Sequence, residues 1–166
     1  TEDEYVSEDS NTYMAKAKAF TLLQELNDSS DNQALLFLGW VLHIDSRGFG
    51  GYTISTPKSE LFKMHAEYIE GKLTLTKKKA TPQKFIELAT KWKDAKIGRP
   101  RVMTEAYLRS AQMYSYLNTD KDGRYSLPSG LQLGFDMEAA VDTLLKPKNN
   151  KEYEDLREFV EKKWSS

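Results

Sequence analysis

Residues 32–44 read Asn-Gln-Ala-Leu-Leu-Phe-Leu-Gly-Trp-Val-Leu-His-Ile. Ala34, Leu35, Leu36, Phe37, Leu38, Trp40, Val41, Leu42 and Ile44 leave almost no polar face on a turn of 3.6 residues. A helix of this kind cannot turn one side to water, so it belongs in the middle of a bundle, covered on several sides. The run is interrupted by Gly39 and His43 and is too short to cross a bilayer, so no membrane span is expected.

The flanking segments supply the cover. Upstream, residues 1–10 are acidic and hydroxyl-rich and read as a flexible arm. A helix is expected from 12 to 26, with Phe20, Leu23 and Leu26 toward one side and Met14 and Ala17 in the turns before them. Asn27-Asp28-Ser29-Ser30-Asp31 makes a turn. Downstream, Thr56-Pro57 is a helix start and Gly71 a stop. Leu61, Met64, His65 and Tyr68 line the inner face between them. Thr81-Pro82 opens a fourth helix to about residue 95, with Phe85, Leu88, Ala89 and Trp92 inward. Gly98-Arg99-Pro100 is read as a break. A fifth helix follows over 101–117, with Met103, Tyr107, Ser110, Met113, Tyr114 and Leu117 on its buried side. Residues 129–135 read as irregular. Asp136 caps a helix that Pro147 ends, and Asn149-Asn150 opens a last one bearing Tyr153, Leu156, Val160 and Trp164. The expected fold is therefore mainly all-α. It is a compact bundle of about five to seven helices, with a short extended segment near residues 73–76. All 166 residues form a single helical domain, in which 118–166 is a C-terminal extension packed on the bundle.

Apolar residues make up 39% and charged residues 30%, which suits a chain with one sizeable core and not a disordered one. There is no cysteine, so disulfides, thiolate metal sites and cysteine nucleophiles are excluded. The acidic opening shows no signal peptide, so the chain is either cytoplasmic or has lost a signal before Thr1. The net charge of −1 hides an asymmetry. Residues 72–101 carry ten basic side chains against Glu87 and Asp94, an excess of eight. Such a block attracts nucleic acid, anionic lipid or an acidic protein, or else forms a solvated helix face and a basic turn.

Two loops carry the candidate sites. Asn118, Asp120, Asp122, Gly123, Arg124 and Ser126 fall at positions 1, 3, 5, 6, 7 and 9 of an EF-hand-type loop, a spacing that wraps alternate oxygens around one calcium ion. Position 12 is Ser129, so the closing glutamate is missing; a helix end followed by a Lys-Asp-Gly turn spells the same residues. The candidate calcium ligands are thus Asn118, Asp120, Asp122, Arg124 and Ser126. The second loop, residues 46–52, is glycine-rich but lacks the Lys-Ser/Thr of a phosphate cradle. Its glycines give reach, and Arg47, Phe49 and Tyr52 give contact area, which makes it a candidate partner-binding loop. His43 and His65 have apolar neighbours and no metal-ligand spacing. No nucleophile elbow or other catalytic set is found, so no catalytic residue is assigned. Trp40, Trp92 and Trp164 read as core anchors.

Leu22-Leu23 before the polar turn at 28–31, then Leu38-Gly39-Trp40, Thr81-Pro82-Gln83 and the helix after Pro100, resemble in order a family of small helical immunity proteins. Bacteria carry these against their own type VI secretion amidase effectors. The likeness spans residues 18–117. It departs at Trp40, where the family has tyrosine, in the lack of cysteines, in a longer loop and in the stretch from Asn118 on. The resemblance implies a periplasmic, non-enzymatic protein, often a homodimer, that inserts a protruding loop into a cell-wall amidase and blocks it. The alternatives that the residues leave open are a calcium-stabilised helical domain and a nucleic-acid-associated factor using residues 72–101.

Overall fold

The computed structural model describes residues 2–29, 33–42, 52–71 and 82–165, with side chains from Thr12 onward. Among them the fold is mainly all-α. The helices are α1 (Glu2–Asp28), α2 (Ala34–Leu42), α3 (Lys58–Glu70), α4 (Pro82–Lys93), α5 (Gly98–Met113), α6 (Met137–Leu144) and α7 (Asn150–Trp164). Three short strands, β1 (Asn118–Thr119), β2 (Tyr125–Ser126) and β3 (Gln132–Gly134), form one antiparallel sheet in that order.

α2 lies where its pattern demands. Every residue from Ala34 to Trp40 is buried. α5 and α3 pack along it, and α4 and α1 close the same core. Phe37 is at the centre: its ring stacks on Trp92 of α4 at 5.5 Å and meets Tyr107 of α5 and Trp164 of α7 edge-on at 5.4 and 5.3 Å. Aromatic pairs at these separations add to the area they bury. The C-terminal segment is thus more than a cover on the bundle, because its last helix supplies a side chain to the middle of the core.

His65 of α3 is fully buried. Its Nε2 lies 2.8 Å from the Leu35 carbonyl of α2, which can only accept, so Nε2 carries the proton. Burial pushes the His65 pKa down to about 4, against a smaller upward pull from that carbonyl.

Several boundaries differ from the sequence expectation. α1 begins at Glu2, not at 12. Residues 2–11 contain no glycine or proline to stop a helix, and acidic residues favour a first turn. Gly98-Arg99-Pro100 opens α5 instead of breaking the chain. Pro100 sits in a first turn, where the missing N–H is an orphan anyway. Gly98 is buried there, and a Cβ would lie 2.2 Å from the Lys91 carbonyl oxygen, so the close approach of the two helices requires glycine. Thr56 does not cap α3; its hydroxyl accepts from the Thr53 amide, and Pro57 takes the cap position. Gly71 ends α3 in the left-handed conformation, as expected. Asp136 caps α6, its Oδ1 accepting from the Ala139 amide at 2.7 Å. The strands lie at 118–134, part of it expected to be irregular, while the expected extended segment at 73–76 lies outside the described residues.

Candidate functional site

Three helices finish at one end of the bundle: α2 at Leu42, α5 at Met113 and α7 at Trp164. Trp164 ties them together. Its indole is buried, stacked on Trp40 of α2 at 5.9 Å and on Tyr107 of α5 at 5.5 Å. The indole N–H donates to the Ser110 hydroxyl at 3.0 Å. A helix leaves its last carbonyls without internal partners. Here the Trp164 carbonyl accepts from the amide of Ile54, at 3.1 Å. Residues 52–57, which lead into α3, are thereby fastened to the end of α7.

The surface around this junction is aromatic. α5 ends in a Schellman arrangement: the Tyr116 amide donates to the Ala111 carbonyl at 2.8 Å and the Ser115 amide to Gln112 at 3.2 Å. The motif puts Ser115 in the left-handed region, φ 61°, a place usually held by glycine. The turn sets Tyr114 toward Trp40, 6.3 Å between ring centres, and stacks Tyr116 on Phe159 of α7 at 4.3 Å. The Lys163 ammonium lies 5.7 Å from the ring centres of both Tyr114 and Phe159. Tyr114, Tyr116 and Phe159 are half-buried, while Met113 is 41% and Ile54 48% exposed. Burial raises the pKa of Tyr114 and Tyr116, with the charge of Asp155 adding at Tyr116, so both phenols keep their proton and can donate. Tyrosine, phenylalanine and methionine held rigidly beside water are the residues enriched in protein–protein interfaces.

Of the expected partner-binding loop, Arg47 and Phe49 lie outside the described residues. Tyr52 is half-buried and packs against the core. Burial first, then the charges of Glu60 and Glu67, raise its pKa, which places its phenol beside α3.

The residues expected to hold calcium are brought together on a hairpin. Asn118 pairs with Ser126 and Thr119 with Tyr125. Asp120 Oδ1 accepts from the amides of Asp122 and Arg124 at 2.9 and 3.0 Å, which folds the turn. The Arg124 guanidinium donates to Gln132 Oε1 at 3.0 Å and lies 4.9 Å from the centre of the Phe135 ring. Among the described residues no three histidine or acidic side chains are grouped to hold a metal.

Among the described residues the basic side chains of the stretch are dispersed. Lys72 and Lys77 to Lys79 lie outside the described residues. Lys91 pairs with Glu87 at 3.6 Å, Lys93 with Glu25 of α1, and Arg101 with Asp142 of α6 at 2.6 Å. Arg99 donates to the Trp92 carbonyl at 2.8 Å and covers its ring. These cations face α1, α4 and α6 rather than forming one stripe. His43 lies outside the described residues.

Met113, expected on the buried side of α5, is exposed because α5 ends there and the chain turns away at Ser115. Lys163 and the backbone tie from Trp164 to Ile54 had no signal in the sequence, since both depend on how α7 docks. Comparison with family models, with curated proteins and with solved structures finds no match for this chain.

Proposed function

We propose that this chain is a non-enzymatic interaction protein that binds and blocks another protein. The face made by Met113, Tyr114, Tyr116, Phe159 and Lys163, beside the fastened segment 52–57, is the observation that supports it. It offers partly exposed aromatic area whose rings are braced by stacking and by the Lys163 ammonium, which limits the rotamer entropy lost when a partner covers them. Tyr52, the last residue of the candidate loop, lies two residues before Ile54 at this end of the molecule, so a loop contact and a face contact would reach the same partner. The order of motifs over residues 18–117 names the partner class: a secreted cell-wall amidase effector, met in the periplasm.

The test is inhibition of such an amidase by the purified chain. Deleting residues 49–51, which leaves the core-packed Tyr52 in place, should abolish inhibition while the far-ultraviolet dichroism and melting temperature stay close to the parent. Retained inhibition would reject the loop as the blocking element.

A calcium-stabilised hairpin is the second reading, favoured by the gathering of Asp120 and Asp122 on one turn. Millimolar calcium should then raise the melting temperature, and an unchanged melting curve removes this reading.

A further inference from the structure

Trp164 touches both segments that border residues 43–51. On the incoming side, Trp40 stacks on its indole two residues before α2 ends at Leu42. On the outgoing side, its carbonyl holds the amide of Ile54. Beyond Ile54, the segment is turned by local bonds: the Thr53 amide donates to the Thr56 hydroxyl at 2.9 Å, and the Thr56 amide to the Thr53 carbonyl at 3.0 Å. Those bonds shape the turn but do not place it on the bundle. Tyr52 packs against the core on the N-terminal side of the turn, while the exposed Ser55 and Pro57 add little burial, so the Ile54 amide is its tie to α7. The same residue borders the aromatic face, since Lys163 precedes it and Tyr114 packs on Trp40.

We infer that Trp164 is a positioning residue for the binding end: its indole fixes the last described turn of α2, and its carbonyl fastens residues 52–56 beside the aromatic face. This rests on the proposal that this end meets the partner. The consequence is that residues 52–56 follow the seating of Trp164: loosening the indole frees them from the end of α7 ahead of the rest of the bundle. Local units of this kind open with less free energy than the whole fold. A change at the C-terminal end of the chain then alters partner binding without touching the partner.

The test compares Trp164→Phe with Val160→Ala. Val160 is buried one turn earlier on the same helix, so its truncation weakens α7 without removing the junction. Native-state hydrogen exchange is read at the Ile54 amide, with Ala106 in the middle of α5 as a reporter of global opening. In the parent, Ile54 should be protected. In Trp164→Phe, its exchange should rise roughly fivefold to tenfold beyond any change at Ala106, the effect of weakening about one hydrogen bond. In Val160→Ala the two amides should rise together. Ser110→Ala, which removes only the acceptor of the indole N–H, should give a smaller selective rise and serves if Trp164→Phe does not fold. An unprotected Ile54 amide in the parent, or equal selectivity in Val160→Ala, overturns the inference.

Amidase inhibition is then measured on the same proteins. Weaker inhibition by Trp164→Phe than by a Val160→Ala of equal melting temperature supports the positioning role, and equal inhibition overturns it. A parent that fails to inhibit any secreted amidase overturns the proposed function, whereas the exchange result judges the tie itself.

Discussion

Lowering the pH should unfold this protein through His65. Its side chain is fully buried between α3 and α2, with the edge of Phe85 of α4 5.5 Å away between ring centres. The folded pKa is about 4, against 6.5 for the free side chain. A folded value below the unfolded one means that the unfolded chain takes up the proton first. The contribution is fully present above about pH 6.5 and is lost as the pH falls toward 4. The full shift corresponds to about 3 kcal/mol, and about 2.5 kcal/mol is gone by pH 4.5. That is a large share of the roughly 5–15 kcal/mol that holds a domain folded. The assay is urea unfolding from pH 7.5 to 4.5, on the parent and on His65→Leu. The variant gives up the hydrogen bond to Leu35, about 1 kcal/mol, at every pH, but carries no titrating group there. The carboxylates titrate in both proteins and cancel in the difference. The parent should therefore lose about 2–3 kcal/mol more than the variant across that range. Parallel curves for the two proteins would refute the assignment of a buried, neutral His65.

Three further substitutions probe local physics. Ser115→Gly should stabilise the fold by about 0.5–1 kcal/mol, because glycine takes the left-handed position without a Cβ penalty; on that basis the melting temperature should rise by about 2–4 °C. Gly98→Ala should destabilise by about 1–3 kcal/mol, since its Cβ would meet the backbone of Lys91 and the α4–α5 turn must move; an unchanged urea midpoint would show that the turn gives way freely. Asp136→Ala removes the cap on α6 and should lose about 1 kcal/mol by urea unfolding, with Asp136→Asn recovering most of it.

The central helix was legible because a segment apolar all round has only one place to go. The inward positions of α4, Phe85, Leu88, Ala89 and Trp92, were legible for the same reason: they recur at helical spacing and all four are buried. Boundaries were not. Gly98-Arg99-Pro100 carries breaker residues, yet a proline in a first turn and a glycine at a close approach fit a helix start equally well. The hairpin at Asn118–Ser126 shares its residues with a calcium loop, because Asp-x-Asp-Gly serves both a tight turn and a metal cage. The ladder between Asn118 and Ser126 was not legible, because it has no local sequence signature at two residues per strand. The candidate face was the least legible part. Met113, Tyr114 and Tyr116 come from the end of α5 and the turn after it, Phe159 and Lys163 from α7, and the docking of α7 on that end is what no local pattern shows.

The most direct measurement of the proposed function is inhibition of a secreted cell-wall amidase by the intact chain and by a variant carrying Tyr116→Ala and Phe159→Ala. Both side chains are half-buried and stacked on each other at the surface, so the fold should survive their joint truncation, which unfolding curves will show. The account predicts inhibition by the intact chain and a loss of affinity of at least tenfold in the folded variant, as for truncation of an interface anchor worth more than about 1.4 kcal/mol. Full inhibition by the folded variant would contradict the assignment of this face, and no inhibition by the intact chain would contradict the proposed function.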